Sequence, residues 1–420
     1  MPSERLVLRP PEGGHKILIE KGGLRVPDDP IIPLIEGDGI GPEVVRAARQ
    51  AIDAAVAETF SRRRRIVWYP VPAGEKAMFH YGELLPEATL AAIREYVVGL
   101  KGPMTTPVGG GFRSLNVTLR KALDLYANVR PIYWIPGVPS PVTHPERLDV
   151  VIFREGTEDV YAGIEWEMGS PEALRMIEIL EKEFHARVRH DSGIGVKPIS
   201  EEGSKRLIRK AIRYAIENRK RSVTLVHKGN IMKYTEGAFR AWGYEVAREE
   251  FADRTIPWEE AARLPAGTGP GDRVVIKDVI ADNMFQQLLL RPEEYDVLAT
   301  TNLNGDYLSD AAAAQIGGLG VAAGGNIGDT HALFEPVHGS APKYAGMDKV
   351  NPTAEMLAGV MMLEYLGWPE AATALRDAVR TVVASKVVTY DLARQMPAAQ
   401  EVRTSVFAQA VVDAIRGARR

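Results

Sequence analysis

Apolar and polar positions alternate with two distinct periods along this 420-residue chain. Short apolar runs bounded by turn residues predict buried strands at 31–35, 148–153, 223–226, 273–276 and 295–299. Between them, apolar residues recur every three or four positions. Val44, Val45, Ala48, Ile52, Ala55 and Val56 share one helical face, and further helices are predicted over 171–184, 200–218 and 354–366. Strand and helix in alternation predict an α/β fold. Residues 31–60 read as strand, glycine turn and helix, with Pro42 placed where its ring suits a first helical turn. Residues 160–200 follow a strand with turn-rich sequence and read as an excursion. The Pro/Gly-rich stretches 131–145 and 265–271 are candidate lobe boundaries.

Composition narrows the class. With 45% hydrophobic and 25% charged residues, the chain reads as an ordinary globular protein, and its length predicts two or three lobes. A net charge of −3 gives no global attraction to nucleic acid or anionic membrane. The densest basic run, Arg62–Arg65, follows a helix and reads as a solvated face. No cysteine is present, which excludes disulfides, thiolate metal sites and a cysteine nucleophile. Without a signal-like start or a membrane-length apolar run, the expectation is a soluble cytoplasmic protein.

Several polar clusters carry possible chemistry. The turn Gly37-Asp-Gly-Ile-Gly41 precedes a helix and offers backbone N–H groups to an anion, or is simply a tight turn. In Ser114-Leu-Asn-Val-Thr-Leu-Arg120, Asn116 and Arg120 share a helical face with Ser114 near the helix start. Arg130 and Arg154 follow, and guanidinium forks suit carboxylates; a surface helix with a capping serine is the alternative. Tyr161 closes Arg154-Glu-Gly-Thr-Glu-Asp-Val-Tyr161 and suits a proton donor if its pKa is depressed, or a packing tyrosine otherwise. Lys228 lies directly after a strand, where α/β sheets bind ligands. Asp278 and Asp282 are four apart, as are Asp306 and Asp310. Such pairs suit hard-oxygen coordination of Mg²⁺ or Mn²⁺, or else a helix's first turn. Gly324-Gly-Asn-Ile-Gly328 and the stretch 335–344, with Lys343 and Tyr344, read as a ligand loop that Tyr390 and Arg394 could join.

Together these motifs resemble the β-decarboxylating dehydrogenases, and within them the NADP-dependent isocitrate dehydrogenases of bacteria and archaea. The most specific stretches are 101–117, Val226-His-Lys-Gly-Asn-Ile-Met-Lys, Asn302-Leu-Asn-Gly-Asp-Tyr-Leu-Ser-Asp310 and His338-Gly-Ser-Ala-Pro-Lys-Tyr-Ala-Gly. The resemblance runs from Gly37 to Arg394. It implies a two-lobed α/β fold with the cleft between lobes, unlike the usual dinucleotide fold. The large lobe would combine 1–125 with 315–420 and the small lobe 126–159 with 201–314. Residues 160–200 would form a clasp for dimerisation.

The roles implied are specific. Ser114, Asn116, Arg120, Arg130 and Arg154 would hold the substrate carboxylates, with Tyr161 and Lys228 the acid–base pair. Asp282, Asp306 and Asp310 would be the Mg²⁺ or Mn²⁺ ligands, and Lys228 and Asp282 would reach the neighbouring site of a homodimer. Asp278 receives no role. Thr106, His338, Lys343, Tyr344, Asn351, Tyr390 and Arg394 would surround NADP. NAD-dependent relatives carry an acidic and an aliphatic residue where Lys343 and Tyr344 stand. The implied reaction is oxidative decarboxylation of isocitrate to 2-oxoglutarate and CO₂ in the tricarboxylic acid cycle. A sister enzyme for 3-isopropylmalate or homoisocitrate is the nearest rival, disfavoured by the polar Ser114 and Asn116. A catalytically silent regulatory subunit is the non-enzyme rival, disfavoured because every acid–base and metal residue is present.

Overall fold

The computed structural model describes residues 8–21, 23–105, 114–265 and 267–418. Its backbone is one eleven-stranded mixed sheet flanked by helices. From edge to edge the strands are Thr255–Pro257, Val274–Ile280, Ser222–His227, Val297–Thr300, Asp149–Glu155, Ala127–Tyr133, Ala323–Ile327, Ala332–Pro336, Val98–Lys101, Ile31–Ile35 and Val67–Pro70. The five strands at the first edge are mutually parallel, and so are the four at the other. Between them the ladders are antiparallel, from Asp149–Glu155 through Ala127–Tyr133 and Ala323–Ile327 to Ala332–Pro336. Strands from residues 127–300 therefore lie on one side of this seam, and those from 31–101 with 323–336 on the other.

The local causes follow the apolar pattern. Ile31–Ile35 is buried at every position, as a parallel strand covered on both faces must be. The helix Gly41–Thr59 buries the six face residues that its spacing predicts. The helix Pro171–Phe184 has its expected limits, and its cap Ser170 accepts a hydrogen bond from the Ala173 N–H. Glu201–Glu217 is flanked by Ser200 and Asn218, and Thr353–Tyr365 starts one residue early. Two loop readings change. Residues 265–271 join neighbouring parallel strands on one side of the seam and so separate nothing. Pro131 lies inside the central strand Ala127–Tyr133, with the loop beginning after it.

The 160–200 segment stands apart from the main sheet. It contains the antiparallel pair Glu165–Trp166 and Ile194–Gly195 and the helix Pro171–Phe184. Val160, Ile164, Met168, Leu174, Phe184 and Val196 are exposed along it. No described helix is long and apolar enough to cross a membrane.

One buried group opposes this packing. Glu355 sits fully buried in the helix Thr353–Tyr365, and neither carboxylate oxygen has a hydrogen-bond partner among the described residues. Burial pushes its pKa well above the ordinary 4.5, against the pull of nearby Lys101. The native state then holds a proton that the unfolded chain releases, so stability falls as pH rises from about 4.5 through the raised value. Glu355→Leu is expected to gain about 1–3 kcal/mol at neutral pH. It should also flatten the pH dependence of urea unfolding above pH 5 while leaving stability at pH 4 nearly unchanged.

Candidate active site

The antiparallel seam gathers the arginines. Arg130 and Arg154 lie on adjacent strands whose register sets Asn128 opposite Arg154. Arg120 comes from the helix Leu115–Ala122, where its Nε donates to the Asn116 carbonyl at 3.3 Å, the shared face expected of an i, i+4 pair. All three are buried. They line one cleft of about 200 Å³ with Ser114, Asn116, Tyr161, Asp306 and His338. Burial, then the neighbouring charge of Arg154, lowers Arg120 to about 10, and burial lowers Arg130 as well.

Asp306, with Glu335 in the same cleft, offsets this group of like charges. Its carboxylate takes an ion pair from Arg154 Nη1, lies 3.8 Å from Arg130 Nη2, and accepts from the Tyr161 hydroxyl at 2.6 Å. Burial alone would raise Asp306, but Arg154, Tyr161, Arg130 and Arg120 reverse that, and its pKa is lowered. Arg130 Nη1 also donates to Asp310 Oδ1 at 3.1 Å and to Ser309 at 2.5 Å. Asp306 and Asp310 occupy the middle of the helix Asn302–Gln315, which opens at Asn302. The first-turn explanation for these carboxylates therefore fails. The helix comes close because Gly305 has no side chain: a Cβ there would lie 2.6 Å from Arg154 Cγ.

Tyr161 does not have a depressed pKa. Burial and donation to Asp306 push it up to about 12, so its hydroxyl is neutral. The Arg154 guanidinium lies 4.8 Å from its ring.

Lys228 and Asp282 pair with each other away from the arginine cleft. Asp282 lies in the first turn of the helix Ala281–Leu290, and Asp278 precedes it in a strand, so the two do not share a helix. Asp278 is instead occupied by His227 at 3.0 Å, Arg240 at 2.9 Å and Tyr244 at 2.7 Å. Among the described residues no three His, Asp or Glu groups stand together as a metal site. Asp306 and Asp310 are brought to one guanidinium, and Asp282 is not brought to them.

On the cofactor side, Lys343 and Tyr344 form a short turn against Tyr390, with the two tyrosine rings 5.8 Å apart. Lys343 lies 4.8 Å from the Tyr344 ring, and Lys349 and Arg394 lie 4.6 and 5.9 Å from that of Tyr390. Contact with Tyr390 and then Lys343 lowers the Tyr344 hydroxyl. Asn351 is buried and engaged, donating to Asp391 at 3.0 Å and accepting from the Thr353 N–H. His338 is kept neutral by burial, with Nδ1 2.9 Å from the Gly339 carbonyl. Thr106 lies outside the described residues. Two amides of the Gly37–Gly41 turn are held by distant carbonyls of the fold. Asp38 N–H donates to the Pro103 carbonyl and Ile40 N–H to that of Ser340, at 2.8 and 2.9 Å. Gly39, at φ +56°, passes so close to Ser340 that a Cβ would lie 2.1 Å from its carbonyl oxygen.

The pattern of residues does not reveal the polar chain that runs along the cleft wall. Arg130 donates to Asn128, Asn128 to Asn326, and Asn326 to Glu335, at 2.8, 2.6 and 2.6 Å. Glu335 pairs with buried Lys101 at 2.5 Å. Lys349 was likewise unremarked. Each is a single polar residue in an apolar or loop stretch, and strand register brings all but Lys349 into line.

A sequence model of the family described as isocitrate/isopropylmalate dehydrogenase matches residues 31–411. The chain is 61% identical over 406 residues to an isocitrate dehydrogenase [NADP] of Archaeoglobus fulgidus, covering 97% of this chain and 98% of that one. It is 58% identical over 411 residues to the protein of that name from Haloferax volcanii, covering 97% of each. Its structure resembles crystalline isocitrate dehydrogenase from Methylococcus capsulatus with a TM-score of 0.77 and 41% identity, over 92% of this chain and 99% of that one. With such coverage, the chain belongs to the isocitrate/isopropylmalate dehydrogenase family.

Proposed function

We propose that this protein oxidises and decarboxylates isocitrate to 2-oxoglutarate and CO₂, reducing NADP, with Mg²⁺ or Mn²⁺ bound. The observation that carries the reading is the convergence of three buried arginines on one cleft beside Asp306. A tricarboxylate supplies the negative charge that this cleft lacks. Ser114 and Asn116 line the same cleft, and their polarity suits a γ-carboxylate better than the apolar group of 3-isopropylmalate.

The remaining groups fit their proposed cofactors. Asp306 and Asp310 offer hard oxygens from successive turns of one helix. Burial raises Asp310, and the charge of Asp306 adds to that effect, so Asp306 and Asp310 would help hold a divalent cation whose charge offsets their repulsion. Lys343, Lys349 and Arg394 around Tyr344 and Tyr390 suit the 2′-phosphate of NADP, which a carboxylate at 343 would repel. When bound, NADP supplies the hydride acceptor and the metal a Lewis acid at the substrate oxygens.

The protein's own groups position the substrate and move protons. Arg120, Arg130 and Arg154 orient the carboxylates. Lys228 takes the C2 hydroxyl proton, and neutral Tyr161 delivers a proton to C3 after CO₂ leaves. Lys228 and Asp282 lie off the cleft of their own chain. We assign them to the site of a second copy, in a cytoplasmic homodimer that operates in the tricarboxylic acid cycle. The exposed apolar residues of 160–200 support that segment as the clasp. The large lobe would then be 1–125 with 315–420 and the small lobe 126–159 with 201–314, meeting at the seam.

The direct test is absorbance at 340 nm with isocitrate, Mg²⁺ and NADP. Rapid, chelator-sensitive reduction is expected, and turnover of 3-isopropylmalate instead would overturn the substrate assignment. Arg120→Met is expected to lower kcat/KM for isocitrate about 10- to 100-fold, the loss of a charged hydrogen bond worth about 1.5–3 kcal/mol. Because burial already disfavours that charge, the variant should melt no lower than the parent. Lys343→Asp with Tyr344→Ile should move the ratio of NADP to NAD specificity by at least about 100-fold toward NAD, read as kcat/KM for each nucleotide.

A further inference from the structure

A second buried charge cluster lies behind the site. Asp159 and Glu236 are both fully buried, and Lys197 bridges them at 2.6 and 3.0 Å. Each carboxylate is tied to a different functional segment. Asp159 Oδ2 accepts from the Leu303 N–H at 2.9 Å, in the first turn of the helix that carries Asp306 and Asp310. Its Oδ1 accepts from the Val160 N–H at 2.7 Å, next to Tyr161. Glu236 Oε2 accepts from the Lys228 N–H and the Asn304 side chain, both at 2.7 Å, and Oε1 from Thr301 at 2.8 Å. Asp159 also holds a left-handed backbone at φ +68°, a conformation that its local hydrogen bonds make tolerable two residues before Tyr161. Lys197 itself follows the strand Ile194–Gly195, on the return of the 160–200 excursion, where the Asp159 N–H donates to the Pro198 carbonyl at 3.0 Å.

We infer that Lys197 is a positioning residue. With Asp159 and Glu236 it fastens the Tyr161 turn, the Lys228 turn and the Asp306 helix into one unit. None of the three touches the cleft, so they act through the groups they hold. The inference rests on the proposed isocitrate reaction and on sites shared between two copies. On that reading, the Tyr161 and Lys228 of one chain serve different sites. The ion triad then links the two sites of the dimer, and the segment that supplies Lys197 is the one that docks the second copy. Interactions of this kind act on turnover more than on substrate affinity, because the clamp arginines are carried by the strands Ala127–Tyr133 and Asp149–Glu155 and the helix Leu115–Ala122, to which the triad donates no bond.

The test uses the full-length dimer. Lys197→Met removes the bridge, and Lys197→Met with Asp159→Asn removes it while keeping the cluster's net charge at that of the parent, one carboxylate in excess. Lys197→Arg is the conservative rescue. Lys205→Met, at an ion pair with Glu201 and Glu245 on the outer helices, is the control. The expectation is a fall in kcat of about 100-fold in both Met variants, the scale of a roughly 1 Å misplacement. KM for isocitrate should stay within about threefold. Arg should restore most of the turnover, and the control should match the parent. Where Lys197→Met alone fails to fold, the charge-balanced pair decides. A folded, dimeric charge-balanced variant with parental kcat overturns the inference, as does a raised KM with unchanged kcat. A parent chain that does not turn over isocitrate instead overturns the functional reading, and the inference with it.

Discussion

Three guanidinium groups share a buried cleft because two carboxylates, Asp306 and Glu335, sit among them. Asp306 pairs with Arg154, faces Arg130 and accepts the Tyr161 hydroxyl, so removing it would leave a cluster of like charges in a low dielectric. On the proposed function, the same carboxylate would help hold a divalent cation once the substrate brings its own negative charges. In the unliganded protein the aspartate does part of the work that the tricarboxylate would do. On the proposed function, binding would be an exchange of partners within a preformed cluster, in which burial first and the charge of Arg154 second lower the Arg120 pKa.

That arrangement depends on the sheet. The parallel blocks at the two edges are joined by antiparallel ladders, and these set Asn128 opposite Arg154 and Asn326 opposite Asn128. Polar side chains from three strands thereby meet at one cleft. Their hydrogen bonds run on to the buried pair of Lys101 and Glu335, so each polar group inside the seam finds a partner. Glu355, one layer further back, is a buried charge-bearing group without a hydrogen-bond partner among the described residues, and it weakens the fold.

Hydrophobic periodicity carried most of the fold, because strands such as Ile31–Ile35 and helices such as Gly41–Thr59 are set by which residues must leave water. It failed where contact at long range decides the outcome. The Gly37–Gly41 amides looked free for an anion, but the Pro103 and Ser340 carbonyls occupy two of them. Asp278 looked like a metal ligand by spacing, but a strand end lies between it and Asp282, and His227, Arg240 and Tyr244 take its oxygens. The arginines of the cleft stood out through motif resemblance. Lys197, Asp159 and Glu236 did not, because a lone buried charge in a sequence looks like any surface charge until its partners fold around it.

The central claim is that the Arg120, Arg130 and Arg154 cleft at the seam is where the substrate binds. A crystal structure with isocitrate and Mg²⁺ tests it most directly. The account predicts density for the substrate with its carboxylates on those three arginines, and the Tyr161 hydroxyl released from Asp306. Isocitrate bound elsewhere, with the arginines still paired to Asp306 as they are in its absence, would contradict it.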